Sequence, residues 1–212
     1  MAAGKAKQRW LAPATVAIGL APLAKLGVAA FTGGLGANPI AEGMNRLGFW
    51  TLTFLSLSLA PTPAKDFLGL GWPVRIRRTL GLLAFGYGAL HFAWYLVLDK
   101  FFDAADIGAD IAKRPFITVG FAALLVLVPL AVTSTDRWVR RLGYPRWKAL
   151  HRLVYLAAAL AVVHFLWRVK ADKLKPTIFA AIIGALLALR VVAYARRRLR
   201  ERARRDSVAM AR

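Results

Sequence analysis

Residues Thr79–Leu98 read TLGLLAFGYGALHFAWYLVL, with no Asp, Glu, Lys or Arg and a single histidine, His91. At 1.5 Å per residue a helix of this length covers ~30 Å, the hydrocarbon thickness of a bilayer. Arg77-Arg78 and Asp99-Lys100 bracket it, so the charges stop where the apolar run begins. Five further apolar runs lie on either side: Leu11–Phe31, Leu47–Ala60, Phe116–Thr133, Ala149–Trp167 and Thr177–Tyr194. Only Leu47–Ala60 is short, and it reaches spanning length when its flanks are taken in, over 44–61. Six such runs separated by charged loops predict an all-α integral membrane protein, a six-helix bundle over about 11–31, 44–61, 79–98, 116–133, 149–167 and 177–194. They are too long, and lack the period-2 alternation, for barrel strands. Leu11–Phe31 is longer than the apolar core of a signal peptide and is read as a span.

Composition agrees. Of 212 residues 58% are hydrophobic and 19% charged, against about 25% charged in a soluble domain. A net charge of +21 suggests nucleic acid in a soluble protein. In a membrane protein it reads as orientation. Twenty of the 31 Lys and Arg fall on one side if the termini share it, which predicts both termini in the cytoplasm and no nucleic-acid partner. The basic tail over 195–212 then lies against anionic membrane lipid. The loop from Arg168 to Lys175 runs against the rule, with four basic residues on the other side. The chain has no cysteine, which removes disulfides, thiolate metal sites, iron–sulfur clusters and a thiol nucleophile.

All three histidines fall in apolar runs: His91 in the third, His151 and His164 in the fifth. An intramembrane histidine is either a hydrogen-bonded packing residue or a functional one. The third and fifth helices run in the same direction. His91 is roughly 18 Å, and His164 roughly 22 Å, from the start of its run, so the two share a level. His151 lies near the opposite face, level with Arg77 and Arg78. Zinc needs three or four ligands at one level, and these histidines are split. Two imidazoles across a gap suit six-coordinate haem iron, with Gly81, Gly86, Gly88 and Ala89 admitting a flat ring and basic residues near its propionates. A histidine proton relay in a small transporter stays open on these residues. One spacing resists: His151 and His164 are 13 residues apart, about 140° around an ideal helix, so they face one partner only if that helix is bent or supercoiled, or the histidine rotamers compensate.

Several stretches are similar to the MsrQ (formerly YedZ) family of haem-binding membrane subunits. They are Gly33-Gly34-Leu35-Gly36-Ala37-Asn38-Pro39, Arg77-Arg78-Thr79-Leu80-Gly81-Leu82, Leu90-His91, Arg114-Pro115-Phe116-Ile117-Thr118-Val119-Gly120, the run from Arg141 to Leu156, and His164-Phe165-Leu166-Trp167-Arg168-Val169-Lys170. The wider ferric-reductase-like membrane domain is similar too, with paired ligands 14 and 13 residues apart. Arg77 stands where one of those histidines is expected. The resemblance implies haem b, one or two, with His91, His164 and His151 at iron and Arg77 and Arg78 beside it. It also implies FMN, although no Gly-rich phosphate loop is present. It implies a multi-pass protein of the bacterial inner membrane. Electrons would come from the quinol pool or a cytosolic flavin reductase and pass to a periplasmic molybdenum reductase, MsrP, that repairs methionine sulfoxide. A free-standing ferric reductase is the nearest alternative.

Overall fold

The structure is a computed structural model that describes residues 10–210, with side chains to 203. Lys5, Lys7 and Arg9, which place the N-terminus in the charge argument, and Arg212 lie outside the described residues. Every regular element among them is helical. The long helices are α1 (Leu11–Phe31), α2 (Pro39–Leu59), α4 (Arg77–Trp94, running on as a π turn over Tyr95–Asp99), α6 (Pro115–Val132), α9 (Val154–Arg168) and α10 (Leu174–Met210). Short helices fill the loops: α3 (Pro61–Leu68), α5 (Ala104–Lys113), α7 (Asp136–Leu142) and α8 (Tyr144–Leu150).

Among the described residues, five helical segments are long and apolar enough to cross a membrane: Leu11–Phe31, Arg77–Asp99, Pro115–Val132, Tyr144–Arg168 and Leu174–Ala203. The protein is therefore an all-α, multi-pass membrane protein. Its large apolar side chains face outward, as in Ile18, Val28, Leu125 and Val191, because lipid rather than water covers that surface. α2 is as long as α1, at 21 residues, but carries Glu42, Asn45, Arg46, Thr51, Thr53, Ser56 and Ser58. It tolerates them because it is the innermost helix. Leu47, Leu52, Leu55, Leu59, Ser56 and Ser58 are all buried in protein, and the Thr51 and Ser56 hydroxyls donate to carbonyls one turn back. The Asn38 side chain caps α2 and Pro39 opens it.

α2 packs closest against α4, and α6 against α9. Ala84, Ala157 and Ala158 are fully buried, and such small residues bring helix backbones close. The gap between the two pairs forms the central cavity. α1 packs on the outside of the first pair. Its Pro22 lacks an N–H, and the Tyr87 hydroxyl from α4 enters the backbone ladder there, donating to Gly19 O at 2.7 Å and accepting from Leu23 N at 3.0 Å. At the other end of α2, Pro63 cannot donate back to the Leu59 carbonyl. Arg190 of α10 does so instead, with its guanidinium over the Tyr155 ring.

The fifth apolar run is not one helix. It divides into α8, a 3-10 turn at His151–Leu153, and α9. This break removes the difficulty of the 13-residue spacing, since His151 and His164 do not share a straight helix.

Candidate functional site

The imidazoles of His91 on α4 and His164 on α9 face each other across the central cavity. Their ring centroids are 6.1 Å apart and their planes nearly perpendicular, at 82°. His91 Nδ1 lies 2.9 Å from the Met44 carbonyl of α2, and His164 Nδ1 lies 2.7 Å from the Phe116 carbonyl of α6. A carbonyl only accepts, so each Nδ1 carries the proton and each Nε2 keeps its lone pair. That is the tautomer a metal-ligating histidine needs, held by a backbone acceptor behind it.

The same local device seats both rings. Each carbonyl is followed, one helical turn on, by a glycine: Met44 by Gly48, Phe116 by Gly120. A Cβ at Gly120 would stand 2.5 Å from His164 Nδ1, and one at Gly48 would stand 3.3 Å from His91 Nδ1. The missing side chains are the space the imidazoles occupy while reaching the carbonyls below.

The cavity has a volume of about 400 Å³. Small residues open its walls, among them Gly48, Gly88, Gly120, Ala123 and Ala161, and Phe92, Phe121 and Phe165 give it flat apolar faces. Two metal–imidazole bonds of about 2 Å each, plus the half-width of each ring, set the centroids about 6 Å apart when one ion lies between them. The observed separation matches, so a planar metal cofactor taking two axial imidazoles fits these residues.

His151 stands elsewhere. Its Nε2 is 3.1 Å from Thr133 Oγ1, whose own proton goes to Pro129 O at 2.6 Å, so His151 Nε2 is the donor in that pair. The ring stacks on Trp147 at 4.0 Å, and Trp147 donates its indole N–H to Thr133 O. Arg77 and Arg78 lie within electrostatic reach of His151 but bond elsewhere: Arg77 to Thr62 Oγ1 at 3.2 Å, Arg78 to Asp136 at 2.7 Å. That hydrogen bond holds the Asp136 carboxyl below its ordinary pKa. The predicted cluster thus divides into a His91–His164 pair at the cavity and a looser His151–Arg77–Arg78 group at the other end.

The glycines, their carbonyls, and two arginines on the cavity wall, Arg114 and Arg168, were absent from the sequence reading as site residues. The spacing of Phe116 to Gly120 is plain in the sequence, but its meaning depends on a histidine 44 residues further along the chain.

Comparison with known proteins gives the family of the chain. Residues 47–162 match the family described as ferric reductase like transmembrane component. A protein of Rhodospirillum rubrum named protein-methionine-sulfoxide reductase heme-binding subunit MsrQ is 56% identical over 184 residues, 87% of this chain and 88% of that one. Proteins of the same name from Deinococcus radiodurans and Herminiimonas arsenicoxydans are 50% and 48% identical, covering 84% and 81% of this chain and 87% and 80% of theirs.

Proposed function

The chain belongs to the MsrQ family, with its ferric-reductase-like transmembrane domain, and on that premise we propose that it is a b-type cytochrome subunit of a methionine-sulfoxide reductase system. The observation that carries the reading is the pair His91 and His164, both lining the cavity, with ring centroids 6.1 Å apart and each tied at Nδ1 to a backbone carbonyl. These two histidines would hold the haem iron. Haem bound there supplies one-electron transfer between ferric and ferrous iron. With an imidazole from each side, His91 and His164 would leave the iron closed to oxygen, which suits a relay and not an oxidase. The apolar phenylalanine walls keep water from the site.

The remainder of the reading follows the family. Six spans, α2 included, put both termini in the cytoplasm of a bacterial inner membrane. Electrons enter from the quinol pool or a cytosolic flavin reductase and leave to the periplasmic molybdenum reductase MsrP. FMN enters the proposal through the family alone, and no residue is assigned to it. Purified full-length protein is expected to show a Soret band, to be reduced by quinol or by the flavin reductase, and to be reoxidised when MsrP is added. A membrane fraction without Soret absorbance would instead favour a proton-relaying transporter. Reduction that is unaffected by MsrP would favour a free-standing ferric reductase.

A second haem on His151, with Arg77 and Arg78 beside it, is favoured by their common level at the opposite end of the bundle. It requires His151 to leave Thr133. Haem counted per chain tests this: two in the native protein falling to one in His151→Ala supports it, and one in both contradicts it.

A further inference from the structure

We propose that the end of the cavity nearest the α4–α5 and α9–α10 loops is a carboxylate-binding subsite, in which Arg168 and Arg114 hold the two acid side chains of the haem. The inference rests on the reading above that haem occupies the cavity. It adds the direction in which the cofactor lies.

Three charged residues line the cavity among those described: Asp99, Arg114 and Arg168. All three belong to its loop end. Arg168 is four residues after His164, one turn further along the same face of α9, so its guanidinium stands above the ligand imidazole toward the loops. It lies within electrostatic reach of both histidines. Arg168 is only partly exposed, stands over the Phe165 ring, and has no carboxylate partner among the described residues. A cation at the end of an apolar bundle without a counterion is costly, and an anionic ligand removes that cost.

Arg114 is positioned by a network. Its Nε lies 3.3 Å from Asp110, which also receives Lys100 Nζ at 3.0 Å and the Tyr95 hydroxyl at 3.4 Å. The Asp110 side chain is only 10% exposed, so the network is anchored. Because Asp110 takes Nε, the two Nη groups of Arg114 stay available to a second carboxylate. Arg114 also immediately precedes Pro115, and the amino end of α6 adds its own partial positive charge. Arg168, the Nη groups of Arg114 and the amino end of α6 are thus the positive groups at this end that remain open to an anion. Arg77 and Arg78, at the far end, are already committed to Thr62 and Asp136.

The test uses full-length apoprotein in lipid nanodiscs, reconstituted with haem or with haem dimethyl ester, which lacks both negative charges. The native chain is expected to retain haem at least about tenfold more tightly than the ester, since charge-assisted hydrogen bonds are lost with the ester. Arg168→Gln and Arg114→Gln should each shrink that preference and lower the midpoint potential, because a cation near the ring favours the reduced form. Lysine at either position should restore most of both. Equal retention of haem and ester by the native chain overturns the proposal while leaving the cytochrome reading intact, as does an unchanged preference in both glutamine variants. Failure of the native chain to bind either compound overturns the cytochrome reading itself.

Discussion

At the scale of single residues, the site is defined as much by missing side chains as by present ones. His91 and His164 were legible from the rise of a helix and the lengths of two runs, because depth in a membrane is a one-dimensional quantity. Gly48 and Gly120 were not legible, because the clash each avoids is with an atom distant in the chain. Their roles make a graded prediction. Gly120→Ala places a methyl 2.5 Å from His164 Nδ1 and must displace the ring from the Phe116 carbonyl. Haem content measured by pyridine haemochrome should fall severalfold. Gly48→Ala, at 3.3 Å, should lower it less, and Gly86→Ala should leave it unchanged, since Gly86, against the sequence expectation, lies off the cavity wall with open space around it. Equal effects at all three positions would mean that the glycines do not seat the imidazoles.

At the scale of elements, the apolar-run reading served the lipid-facing helices and understated α2. A helix surrounded by protein need not be apolar, because its neighbours and its own backbone satisfy its hydroxyls. The break at His151–Leu153 was visible only as an awkward 13-residue spacing. The short loop helices were hidden because each is stabilised by tertiary partners rather than by a long pattern. α7, for example, spans only seven residues, and its Asp136 meets Arg78 from 58 residues away. Two predictions belong here. Tyr87→Phe withdraws the hydroxyl from between Gly19 O and Leu23 N. It should cost about 1 kcal/mol, seen as a lower thermal midpoint, because Leu23 N–H can fall back on the helical bond to Gly19 O. Asp136 is fully exposed, so its pair with Arg78 contributes little at neutral pH. Its folded pKa is depressed. Any contribution is therefore present above the ordinary carboxylate pKa and disappears as pH falls through the lowered value. Asp136→Asn should leave the thermal midpoint unchanged at neutral pH, within error.

At the scale of the whole molecule, two helix pairs, α2–α4 and α6–α9, each contribute one histidine, one carbonyl acceptor and one glycine to a shared cavity. The repetition gives a chain with no cysteine two matched imidazoles for the redox centre proposed above. The charge bias in the sequence is read as orientation, yet the arginines lining the cavity, Arg114 and Arg168, belong to the minority side of that count. Charge counting alone could not separate an anchoring arginine from one turned inward. The central claim is that His91 and His164 together ligate one haem iron. Electron paramagnetic resonance and visible spectra of the purified full-length protein test it most directly. The facing imidazoles predict a low-spin signal in the native protein that is lost in His91→Ala and equally in His164→Ala. Full haem content with an unchanged low-spin signal in both variants would contradict it.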